Sequence, residues 1–107
     1  MALTRDFKQT VGARARRDPG FATALLDEAA TLFLNGDPTH ARLILRDLVN
    51  ATIGFENLAL KTEMPPKSLH RMLSARGNPS MDNLASIFKA LRKRLKVGMT
   101  VQTVRVA

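Results

Sequence analysis

The sequence contains no cysteine, tryptophan or tyrosine, and only five phenylalanines. Without cysteine it can form neither a disulfide nor a thiolate zinc site. That composition fits a reducing compartment, and a cytoplasmic location is the expectation. The shortage of aromatics argues against single-stranded RNA as a partner, because that recognition leans on stacking. No apolar run approaches the roughly 18 residues of a membrane-spanning helix, so no membrane partner is expected. The first residues carry Arg5, Asp6 and Lys8 and do not read as a secretory signal. The only histidines are His40 and His70. Ser68 and His70 stand two apart, a spacing that does not bring side chains together on a helix. There is no His cluster for a metal, no phosphate-binding glycine loop and no dinucleotide fingerprint. Catalysis is therefore not expected, and neither is a cofactor or a bound metal.

Acidic residues are scarce as well. Nine Asp and Glu stand against 17 Lys and Arg, a formal charge of +8. The 107 residues are 45% hydrophobic, which suits one globular domain over residues 1–107. The excess charge sits at the two ends. Residues 1–18 hold five basic side chains against two acidic, and residues 79–107 hold six against one. Residues 19–36 hold two acidic side chains, Asp27 and Glu28, and no basic one. The densest basic run is Arg92, Lys93, Arg94 and Lys96. It reads either as solvated residues suiting a helix C-terminus or as phosphate contacts. An anionic partner is the leading idea, and nucleic acid is the commonest one.

Hydrophobic spacing predicts a chain of helices. Thr4 is placed to cap a first helix running to about Arg17, with Phe7, Val11 and Ala15 as its apolar stripe. Asp18-Pro19 ends that helix and starts the next, since Asp caps and Pro needs no N–H at the first position. Phe21, Leu25, Leu26, Ala29, Leu32 and Phe33 then share one face, and Asn35-Gly36 stops it. Asp37-Pro38 repeats the device for a third helix, with Ala41, Ile44, Leu45, Leu48 and Val49 inward. Residues 1–53 form this N-terminal part. Phe55 to Thr62 predicts a short helix, broken by Glu63-Met64-Pro65 and resumed from Pro66. Leu69, Met72 and Leu73 face inward there, and Gly77-Asn78-Pro79 ends it. Ser80 is placed to cap a last helix, in which Met81, Leu84, Ala85, Phe88 and Leu91 repeat with helical period. These two helices and the closing one occupy residues 54–95.

The tail, residues 96–107, changes period. Val97, Met99 and Val101 alternate with other residues, and Val104 and Val106 do so out of phase. That predicts a short strand with a bulge at Gln102-Thr103. A lone strand cannot satisfy its own backbone, so the expected partner is the same strand of a second copy. A frayed tail is the alternative.

Two short helices with a three-residue break suggest a helix-turn-helix at residues 57–73. Ala59 is small where the helices would cross, and the second helix is expected to expose Lys67, Ser68, His70, Arg71 and Ser74. These are donors suited to phosphates or base edges in a major groove. A helical hairpin inside an all-α protein would look similar.

Gly36-Asp37-Pro38, then a helix, then Leu58-Ala59, then Ser68-Leu69-His70-Arg71-Met72-Leu73, then Gly77-Asn78-Pro79, resembles a known family. It is the addiction-module antidote branch of Xre/Cro-type DNA-binding proteins. The resemblance spans roughly residues 19–95, and Gly-Asn-Pro is its most specific part. It implies an all-α, Cro/lambda-repressor-like helix-turn-helix bundle, here with an extra N-terminal helix and a C-terminal strand paired across a homodimer. It also implies binding of double-stranded operator DNA, and in many members repression of the operon and neutralisation of a small basic RelE-class toxin. Other members resemble solitary or prophage regulators.

By that resemblance Lys67, Ser68, His70 and Arg71 match the recognition-helix positions. Arg71 is the expected base reader, because Arg pairs with guanine in a bidentate way. Lys67 reads as a phosphate contact, and Lys61, Arg76 and Asn78 as further phosphate clamps. The sequence departs from the family pattern in three places. Glu63 stands where members commonly carry Gly, and it needs a left-handed or strained conformation there, or a turn built differently. Pro65 offers no side-chain cap, and Pro65-Pro66 removes two backbone N–H groups. The tail beyond Val97 is longer than usual. Two other readings stay open: a module whose main task is holding a toxin, with Asp27 and Glu28 on its surface, and a small RNA-binding protein.

Overall fold

The computed structural model describes the backbone of residues 2–107 and the side chains of residues 10–107. All regular structure in them is helical: α1 (Ala2–Arg17), α2 (Pro19–Leu34), α3 (Pro38–Ala51), α4 (Phe55–Thr62), α5 (Pro66–Met72) and α6 (Met81–Leu95). No helix among the described residues is long and apolar enough to cross a membrane.

Local chemistry sets most helix ends. Asp18 accepts from the N–H of Phe21 at 3.2 Å, and Asp37 from that of His40 at 3.4 Å. Ser80 accepts from the N–H of Asn83 at 3.1 Å. Each such cap is worth about 1 kcal/mol. Gly36 closes α2 at φ 87°, and around it the Asp37 N–H donates back to the Leu32 carbonyl at 2.8 Å. That left-handed closure turns the chain from α2 directly into α3. α1 begins at Ala2, two residues before Thr4, the expected cap. The side chains of Thr4 and Phe7 lie outside the described residues.

α1, α2 and α3 pack on one another, and α4 and α5 form a second group closed by α6. One core cluster runs through both groups, from Ala15 and Leu26 through Leu45 and Leu48 to Leu58, Leu69, Ile87 and Leu91. α2 meets α6 and α3 meets α4 across the groups, and two contacts stand out. Phe33 of α2 meets Phe88 of α6 edge to face, with ring centroids 6.1 Å apart. Arg42 of α3 reaches the end of α5, as described below.

One expectation is corrected, and a second is not met within the chain. On α6 the buried side chains are Ile87, Ala90 and Leu91, whereas Met81 and Ala85 are exposed. The helix touches both α2 and α4, so its buried face is turned toward Ile87 from the stripe read off its sequence. Second, the expected C-terminal strand is not formed within the chain. Residues 97–107 have no regular secondary structure, and no strand occurs among the described residues. A strand exists by pairing, and this chain offers that segment no partner. Val97 and Met99 still pack against the core, while Val101, Val104 and Val106 are exposed.

Candidate functional site

α4 starts after Gly54, which takes φ 78° at its N-cap. Phe55 and Leu58 anchor one side of α4, and Leu69 and Leu73 anchor α5 in the same core. The break between them turns on Glu63, at φ 56° and ψ 37°. This is the left-handed conformation its position demands, adopted without glycine. The Met64 N–H then donates to the Ala59 carbonyl at 3.2 Å, which satisfies an end group of α4. Pro65 is extended, at φ −62° and ψ 142°, and gives α5 no side-chain cap.

With Leu69 and Leu73 inward, Lys67, His70 and Arg71 lie on the exposed side of α5. Neither Glu56 nor Glu63 forms an ion pair with Arg71. The other two expected donors are differently placed. Ser68 and Ser74 are half-buried, not exposed. Ser74 Oγ donates to the Arg71 carbonyl at 2.7 Å, so its hydroxyl closes the end of α5. Arg76 and Asn78 are exposed on the loop after α5. Lys61 is exposed too, but it lines a separate groove between α4 and α6 that no α5 residue lines.

His70 has a partner that its sequence position does not disclose. Its ring stacks on Phe55, with centroids 3.8 Å apart and planes 18° from parallel. The contact covers one face of the imidazole and ties α5 to the start of α4.

Arg42 is the residue that sequence reasoning missed. It is buried, and its Nε donates to the Ser74 carbonyl at 3.0 Å while Nη2 donates to the Ala75 carbonyl at 2.8 Å. Nη2 also reaches Thr39 Oγ1 at 3.5 Å. The guanidinium thus ties α3 to the turn just after α5, close to the negative end of that helix. A signal was present: Arg42 falls on the Ala41, Leu45, Val49 face, where a polar residue needs a reason. Gly77 belongs to the same junction. A Cβ there would collide with the Met72 carbonyl, and the Arg71 carbonyl lies close by. The glycine of Gly-Asn-Pro lets the chain pass tightly under α5.

Among the described residues, no group of three or more His, Asp or Glu is placed to hold a metal ion. No protein-family model, no curated protein and no solved structure matches this chain.

Proposed function

We propose that the chain is a sequence-specific regulator that binds double-stranded operator DNA as a homodimer and represses transcription, with α4 and α5 as a Cro-like helix-turn-helix. The observation that carries the reading is α5: a short helix with Leu69 buried on it and Leu73 buried at its C-cap, and an exposed Lys67 and Arg71 with no ion pair among the described residues. A helix in a major groove needs that division, apolar anchors behind and long donors in front. Arg71 is the base reader, and Lys67, Arg76 and Asn78 hold phosphates. His70 and Ser74 serve mainly to shape α5, given the contacts they already make.

The dimer completes the reader, since two half-sites lie about one helical turn apart. Exposed Val101, Val104 and Val106 supply β-branched residues for an antiparallel pairing of two tails. Removing residues 100–107 spares Val97 and Met99 in the core and is expected to lower the sedimentation coefficient to that of a monomer. A toxin partner of the RelE class follows from the family resemblance, and co-purification with the neighbouring gene product tests it.

The deciding experiment is a gel shift with the DNA upstream of the coding sequence. Retention that weakens steeply with salt is expected, because each neutralised phosphate releases counterions. No retention at modest salt would sink the proposal.

A further inference from the structure

Away from α5, the C-terminal halves of α4 and α6 enclose an open groove of about 860 Å³. Lys61 lines it from α4, and Lys89, Lys93, Arg94 and Lys96 line it from α6 and its end. Ile53 and Ala90, both buried, also line it. The one carboxylate on the groove is Glu63. None of the five cations forms an ion pair among the described residues.

Two physical points set this groove apart from a solvated helix face. The first is charge. The negative ends of α4 and α6 count for about half a unit each, and Glu63 for one more. Those offset roughly two of the five positive charges and leave about +3 around one concavity. Lys89 and Lys93 stand one turn apart on α6, an arrangement in which like charges repel and weaken a helix. The second is backbone. Glu63 and Lys96 are the only non-glycine residues at positive φ among those described, at 56° and 59°. Both lie on this groove, each at the closing turn of its helix. Each is the left-handed cap that ends its helix, so the two walls of the groove stop at defined points.

We propose that the α4/α6 groove binds a run of phosphates, with Lys61 on one wall and Lys89 and Lys93 on the other. The inference stands independently of α5 as a reader. A run of phosphates has two sources, a nucleic-acid backbone or a free polyphosphate chain, and one experiment separates them. The probes are sodium tripolyphosphate, followed by titration calorimetry, and a short fluorescein-labelled duplex, followed by anisotropy. The variants are K89A/K93A for the groove and K67A/R71A for α5, each checked for unchanged helix content by circular dichroism.

K89A/K93A is expected to weaken tripolyphosphate binding by at least about tenfold, since charge-assisted contacts are the strong ones. If the natural source is a free polyphosphate, duplex binding stays at the parent level. If it is a nucleic-acid backbone, duplex binding weakens as well and its salt slope falls by about 1.8, the share of two phosphates. A parent chain that binds neither probe overturns the inference, and so does a K89A/K93A variant that binds both probes as the parent does. K67A/R71A reports on α5 alone, so the two proposals fail separately.

Discussion

The Arg42 guanidinium donates to the Ser74 carbonyl at 3.0 Å, across 32 residues of sequence. Its second bond, to Ala75 at 2.8 Å, makes the contact a fork on two successive carbonyls. α3 thereby holds the turn that follows α5. Replacing Arg42 by Ala removes both donors, while the Ser74 carbonyl keeps the Gly77 N–H at 3.0 Å, and costs about 1–3 kcal/mol. Arg42→Lys should recover little, because an ammonium is a point charge and cannot reproduce the planar fork. Urea unfolding midpoints of the two variants check this, and a lysine variant as stable as the parent would contradict it.

Glu63 holds a conformation that favours glycine, at φ 56°. The left-handed region costs a side-chain-bearing residue about 1–2 kcal/mol. Glycine removes that strain but loses more freedom on folding, by roughly 0.5–1 kcal/mol. The strain is the larger effect, so Glu63→Gly is expected to stabilise by about 0.5–1 kcal/mol. For a chain of this size that raises Tm by a few degrees, roughly 2–8 °C. A lower Tm in a thermal melt counts against a strained turn.

How far the sequence disclosed all this depended on distance along the chain. The caps at Asp18, Asp37 and Ser80 were legible because donor and acceptor lie three residues apart. That Glu63 sits in a left-handed or strained position was suggested by the family pattern, which commonly has Gly there, and the left-handed form is the one adopted. The face of α6 was not, because which side is buried depends on α2 and α4 together. Nor was the Arg42 fork, the stack of His70 on Phe55, or the meeting of Lys61 with Lys89 and Lys93 across a groove. Each of these joins helices that only tertiary packing brings side by side.

Asp37 provides a pH test of one cap. Its Oδ2 lies 2.7 Å from His40 Nδ1, and this hydrogen bond holds the carboxyl below its ordinary range. Burial opposes this, and the backbone N–H and charge of His40 add smaller effects in the lowering direction. A depressed folded pKa means the carboxylate stabilises the native state above its unfolded value, about 3.9. That contribution is lost as pH falls through the lower folded value. Asp37→Asn keeps a good cap residue but cannot titrate. The variant's Tm should therefore fall less steeply than the parent's as the pH drops below about 4. Parallel acid limbs in the two proteins would remove His40 from the account.

His70 and Arg71 are neighbours on α5 with different surroundings, and their variants should separate stability from recognition. His70 stacks on Phe55, whereas the Arg71 guanidinium makes no ion pair. An aromatic pair is worth about 0.5–1.5 kcal/mol, so His70→Ala should lower stability by that order. It should leave the ranking of operator variants unchanged. Arg71→Ala should leave stability within about 0.5 kcal/mol of the parent. It should weaken operator binding by about 1–3 kcal/mol and relax preference at one base pair. Thermal melts, set beside anisotropy titrations on single-base operator variants, measure both quantities. The opposite pattern, with His70→Ala relaxing preference and Arg71→Ala lowering Tm, would exchange the two roles and place the reading edge of α5 on the imidazole.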